Sequence, residues 1–173
     1  MAINSFLQSL ENIICPPSLL VKAKKIKRLP RVAIAEAGTE VVMQSAKTAF
    51  EAGIMAPVFV GNKTEIFLAA KRLEWDIGGF DLVHSENEEE SANAAAKLCG
   101  AGDAEILMKG NVHSDKFIKA VITSKNKIRT SKRLIHVFYI TKTRIHFNVI
   151  LIQFCCICIN FSQEVGANVF CFP

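Results

Sequence analysis

The segment Lys109-Gly110-Asn111-Val112-His113-Ser114-Asp115 gathers the residue types that can hold an anion. It follows the apolar run AEILMKG (104–110), which reads as a strand, and it opens a helix from Asp115 to about Val121 that Ser114 starts. Gly110 lets a ligand approach the backbone closely. The helix N-terminus offers unpaired N–H groups to an anion. Lys109 adds a point charge, and His113 adds a donor or a proton carrier. Phosphate recognition is the chemistry these types favour together. The plain alternative is a solvated Lys109, a capping Ser114 and a His113 packed on the turn.

Seven basic residues and no acidic one lie between Lys116 and Arg133. Arg129, Thr130, Ser131, Lys132 and Arg133 form a compact basic loop. Arginine grips phosphate with two parallel hydrogen bonds, which lysine cannot do. A nucleic-acid surface would interleave aromatics with these charges or carry a known module. Phe117 is the only aromatic from 81 to 137, and its helical phase points to the core, so a small polyanion is the expected ligand and nucleic acid is not. Lys22, Lys24, Lys25, Lys27 and Arg28 form a second basic run, read as a solvated helix face.

Other constellations are incomplete. Glu36-Ala37-Gly38-Thr39 is a helix entry or an acidic residue lining a cleft, and it is neither GxGxxG nor a P-loop. His113 and Ser114 are adjacent, but no acid is placed behind the histidine, so no triad is expected. Glu86, Glu88, Glu89 and Glu90 read as charge favourable to a helix N-terminus. Cys155 and Cys158 have CxxC spacing without a second pair, and no histidine–carboxylate spacing suits a metal, so no metal is expected. Cys15 and Cys99 read as core residues.

The elements that must position these loops alternate. Apolar runs at 31–35, 57–61, 80–84, 104–110 and 134–140 read as strands. Between them lie helices over 40–52, capped by Thr39, over 63–73, capped by Asn62, and from Ser85 or Asn87 to about Gly100. Short connections in this alternation predict a mainly parallel sheet covered by helices, an α/β three-layer sandwich. Ligands of open parallel sheets bind beyond the carboxyl ends of the strands, where the loops above fall.

The 173 residues are half hydrophobic and 21% charged, which excludes disordered and collagen-like chains. The net charge of +5 allows anionic ligands without demanding nucleic acid. Residues 141–173 differ from the rest, with only Lys142, Arg144 and Glu164 charged, and with four of the six cysteines. Three stretches follow: a helical segment over 1–30, an α/β domain over 31–140, and an apolar Cys- and Phe-rich tail over 141–173. The uncharged run 147–161 is shorter than the roughly 20 residues that span a bilayer, so a membrane is not expected. The N-terminus lacks a charged leader before its apolar stretch, and the cysteines form no spread disulfide framework; a cytoplasmic protein is the simplest reading.

RVAIAEAGTEVVMQSAKTAFEAGIMAPVFVGN (31–62), AEILMKGNVHSDKFIKAVI (104–122) and IRTSKRLIHVFYI (128–140), in that order, resemble the phosphate acetyl/butyryltransferase family over about residues 20–140. The resemblance implies an isocitrate/isopropylmalate dehydrogenase-like fold of two α/β domains, truncated here to the first. It implies acyl transfer between acyl-CoA and inorganic phosphate, with coenzyme A as substrate, no cofactor, and a homodimer. It places Lys109, Gly110, His113 and Ser114 on the substrate cleft, and Arg129, Thr130 and Arg133 on the phosphate groups of acyl-CoA, phosphate or acyl phosphate.

The chain departs from the family pattern at Ser131, Lys132 and Ile135, and after Ile140 it stops resembling the family. The family's catalytic Ser, Arg and Asp belong to the half that follows, so catalytic residues are not assignable here. The expectation is therefore a truncated acyltransferase domain whose own turnover is open, with a tail of out-of-frame origin. The alternative is a non-catalytic remnant that binds coenzyme A or phosphate. Which acyl group would be carried is not set by these residues.

Overall fold

The computed structural model describes residues 21, 23–25, 27–129, 139–141, 150–152, 157–158 and 168–171. Four strands and four helices alternate from Arg31: β1 (Arg31–Ala35), α1 (Glu40–Glu51), β2 (Ala56–Gly61), α2 (Lys63–Arg72), β3 (Leu82–His84), α3 (Glu88–Ala101), β4 (Ile106–Lys109) and α4 (Ser114–Ile122). A 3-10 turn (Ser124–Asn126) follows α4. Short strands complete the described chain: β5 (Tyr139–Thr141), β6 (Ile150–Ile152), β7 (Ile157–Cys158) and β8 (Asn168–Cys171).

The local chemistry explains these boundaries. Asn62 caps α2 by accepting from the backbone N–H groups of Thr64 and Glu65. Asn87 caps α3 through Glu90 N, while the Glu90 carboxylate reaches back to Glu86 N, one residue short of a reciprocal capping box. Gly102, in the left-handed region at φ 85°, ends α3. Thr39 precedes α1 as expected, but its side chain makes no capping bond.

β1 pairs in parallel with β2 and β4, β2 with β3, and β4 with β8, giving the order β3-β2-β1-β4-β8, with β7 antiparallel on the outer edge. The alternation of β1 divides the core into two layers. Val32 and Ile34 face Met43 and Ala46 of α1 and Ile66, Ala69 and Ala70 of α2. Ala33 and Ala35 face Ala92, Ala95, Ala96 and Cys99 of α3 and Phe117, Ala120 and Val121 of α4. Helices on both faces of a parallel sheet make the α/β three-layer arrangement. Phe59 anchors the first layer, with Trp75 and Phe80 edge-on to it at 5.6 and 5.8 Å between ring centres.

The strand expected over 134–140 is corrected in part. Residues 134–138 lie outside the described residues. Tyr139–Thr141 is a strand, but it pairs antiparallel with Ile150–Ile152 in a separate two-stranded sheet, and the place beside β4 is taken by β8. An antiparallel partner a few residues along the chain needs no crossover, whereas a parallel place beside β4 does. No helix among the described residues is long and apolar enough to cross a membrane.

Candidate functional site

The order β3-β2-β1-β4 puts the reversal of winding between β1 and β4, because the chain runs outward from β1 to β3 and then crosses back to β4. The loops after β1 and β4 diverge there, and such a point is where open α/β sheets bind ligands. Lys109, Gly110, His113 and Ser114 lie on one of these loops, and Glu36 to Thr39 on the other.

Glu36 has a φ of 55°, a left-handed conformation that costs a non-glycine residue about 1–3 kcal/mol. Its surroundings dictate it from several sides. Gly110 N donates to Ala35 O at 2.9 Å and Asn111 N to Glu36 O at 3.0 Å. A Cβ on Gly110 would stand 2.5 Å from Ala35 O and 2.6 Å from Glu36 O, so only glycine permits this crossing. On the other flank, a Cβ on Gly61 would lie 3.5 Å from the Glu36 Cα. From above, the buried Ser91 hydroxyl accepts from Glu36 N at 2.6 Å and donates to Val60 O at 3.1 Å.

The Glu36 side chain is held in an adverse environment. Its Oε2 is buried and has no hydrogen-bond partner among the described residues. Burial pushes its pKa above the usual carboxylate value, against a lowering contribution from Ser91, and the charges of Glu65 and Glu88 add to the rise. The Ser85 hydroxyl, just beyond β3, is likewise buried without a partner among the described residues. Both orphaned groups therefore sit at the carboxyl edge of the sheet.

Glu88 organises the other loop. Its Oε2 accepts from His113 N and from His113 Nδ1, each at 2.8 Å, and its Oε1 accepts from Lys116 Nζ. Lys119 pairs with Glu89 at 2.8 Å beside it. The acidic run thus does more than favour its own helix dipole: it reaches across from α3 to α4. The bonds from Lys116 and His113 hold the Glu88 carboxyl down at about 2. A depressed carboxyl stabilises the fold above its unfolded value, 4.5, and that contribution is lost as pH falls toward about 2. Glu88→Gln should therefore flatten the acid limb of stability. Urea unfolding at pH 7, 3 and 2 should show a smaller loss between pH 7 and pH 2 in the variant than in the wild type.

The placement of the remaining predicted site residues is mixed. Lys109 is half-buried at the end of β4, in register with Ala35, and makes no ion pair among the described residues. Gly110 is buried at the crossing. His113, not Ser114, is the residue that precedes α4, and its side chain serves Glu88 rather than the helix end; Ser114 is the first residue of the helix and is exposed. Arg129 is exposed beyond Ile128, which packs in the α3–α4 core. Thr130 and Arg133 lie outside the described residues, as do Cys15, Cys155 and Cys156. Burial pushes the Cys99 thiol up to about 12, which makes it inert core. No cluster of metal-ligating side chains occurs among the described residues.

A recess of about 530 Å³ opens at the opposite, amino edge, between Arg31, Asp81, Leu82, Leu98 and Asp103. Its arginine is already engaged: Arg31 binds Asp81 at 2.6 Å and the Asp103 carbonyl at 2.7 Å. The two orphaned groups and the left-handed Glu36 lie at the carboxyl edge, which is the stronger candidate.

Residues 18–101 match the family described as "Phosphate acetyl/butaryl transferase". A phosphate butyryltransferase of Clostridium acetobutylicum is 30% identical over 118 residues, covering 68% of this chain and 39% of that protein. A phosphate acetyltransferase of Rickettsia typhi is 26% identical over 121 residues, covering 70% of this chain and 34% of that protein. The chain thus spans little more than a third of the length of these relatives. Among solved structures, the EutD phosphotransacetylase from Staphylococcus aureus is similar in fold with a TM-score of 0.58 and 18% identity, covering 73% of this chain and 48% of that one. Over residues 18–101 the chain matches the phosphate acetyl/butyryltransferase family in sequence, and its α/β unit is like a phosphotransacetylase in fold.

Proposed function

We propose that this α/β unit is the part of a phosphate acyltransferase that forms one wall of the cleft for acyl-CoA and phosphate. The reaction is acyl transfer between coenzyme A and inorganic phosphate. The thiolate sulfur forms a bond to the acyl-phosphate carbonyl carbon, the C–O bond to phosphate breaks, and phosphate leaves with the electron pair. Such chemistry calls for a cationic clamp on phosphate and a base for the thiol. Lys109, Gly110, His113 and Ser114 are the substrate-binding residues of this reading, with Arg129, Thr130 and Arg133 from the basic run that follows. No metal or cofactor is required by it. The setting it proposes is a cytoplasmic homodimer.

The observation that carries the reading is the backbone contact between the Lys109–Ser114 loop and the Glu36 turn at the reversal between β1 and β4, in a chain with this family match. The test is phosphate-dependent release of free thiol from acetyl-CoA and butyryl-CoA by the folded chain, with coenzyme A binding measured alongside. Turnover supports the acyltransferase. Binding without turnover supports the second reading, a coenzyme A or phosphate-binding module. Neither binding nor turnover overturns both. Lys109→Ala should weaken coenzyme A or phosphate binding about tenfold, the effect of losing one hydrogen bond to a charged group.

A further inference from the structure

We propose that Glu36 is the proton-bearing contact of this cleft: its carboxyl O–H donates to an oxygen of a phosphate-type anion seated at the carboxyl ends of β1 and β4. This rests on the reading of the cleft as a phosphate site.

The geometry leads there in three steps. The Glu36 backbone is held at a φ of 55° by the Gly110–Asn111 crossing and Ser91, so the protein fixes this residue at a strained position where glycine would be at ease. Strain of this kind persists only where the surroundings over-determine it, and it clusters at ligand sites. Next, Oε2 is buried and unpartnered among the described residues. An ionised oxygen sealed from water without a donor is costly, whereas a protonated carboxyl needs only an acceptor.

The third step concerns what faces the group. Ser91 on α3 is already committed to Glu36 N and Val60 O. Glu65 on α2 and Glu88 on α3 add negative charge, and Glu65 comes close enough that a Cβ on Gly38 would lie 2.9 Å from its Oε2. Lys116 on α4 and His113 just before it are bound to Glu88. Lys109, at the end of β4 in register with Ala35, and Lys63, just beyond β2, are cations at this edge without an ion pair among the described residues. An anion attracted by Lys109 therefore meets a carboxyl that can accommodate it only by keeping its proton. Anion binding and protonation of Glu36 are then linked, and each strengthens the other.

Titration of the full chain with sulfate, which stays fully ionised from pH 5 to 8, and with acetyl phosphate, tests this by calorimetry. In the wild type, affinity for sulfate should fall about tenfold from pH 5 to pH 8. Glu36→Gln keeps an N–H donor and cannot ionise, so its affinity should hold at pH 8 without the tenfold fall. Glu36→Gly relieves the backbone strain; it should melt at the same temperature as the wild type or higher, yet bind about tenfold more weakly at pH 5. A residue that is merely structural would not combine unchanged stability with lost binding. Wild-type binding with the same affinities and slopes in all three proteins would overturn the role of Glu36 and leave the phosphate cleft standing. Absence of binding of either anion by the wild type at any pH would overturn the cleft reading and this inference together.

Discussion

Gly110→Ala should cost about 3 kcal/mol of stability and lower coenzyme A binding with it. The added methyl would stand 2.5 Å from Ala35 O and 2.6 Å from Glu36 O, and both are backbone atoms of a central strand end. Neither can rotate away as a side chain could. Relief requires β1 and β4 to separate at their carboxyl ends, which stretches the bonds from Gly110 N to Ala35 O and from Asn111 N to Glu36 O. Overpacking against a rigid core costs about 1–3 kcal/mol, and the upper end applies where backbone must move. Gly79→Ala is the matched control, since nothing lies within 4 Å of the methyl it would add. Chemical denaturation of the two variants reads the difference directly, as a fall in midpoint for the first and none for the second.

Gly100→Ala should be at least as damaging, for a reason that does not involve the site. In the interior of a helix, alanine normally gains about 1 kcal/mol over glycine. Here the new methyl would lie 1.7 Å from Asn126 O, an impossible overlap, so the 3-10 turn after α4 would have to lift off α3. The Asn126 amide, which donates to Asn93 Oδ1 at 3.0 Å and to Ala120 O at 2.8 Å, would lose its buried bonds. The expected loss is about 3 kcal/mol or more. Hydrogen exchange should show the opening confined first to α4 and the 3-10 turn.

The elements from β1 to α4 were legible because each carries its own local signal. RVAIA is an apolar run suited to a buried strand, Asn62 and Asn87 stand where caps are needed, and the helix read as ending near Gly100 ends at Ala101. The Lys109–Ser114 loop was legible for the same reason, as a glycine between a strand and a helix. Strand order was not, because alternation alone does not say on which side of β1 the fourth strand falls. Glu36 was read as a helix entry or an acidic residue lining a cleft, but its left-handed backbone was invisible: glycine or asparagine would normally mark such a turn, and here the constraint comes from Gly110 and Ser91, far away in sequence. The role of Glu88 was hidden likewise. An acidic run before a helix is explained by its own dipole, and nothing local says that one member reaches His113 and Lys116, 25 and 28 positions on. The tail gave no alternation to read, yet Asn168–Cys171 extends the sheet beside β4.

The most direct measurement is a two-dimensional amide NMR titration of the 15N-labelled chain with coenzyme A. The expected result is a set of shifts concentrated at Glu36 to Thr39 and Lys109 to Asp115, with the largest at the backbone amides of Gly110 and Ser114. Shifts concentrated instead at Arg31, Asp81, Leu98 and Asp103, around the recess at the amino edge, would contradict a ligand site at the reversal between β1 and β4.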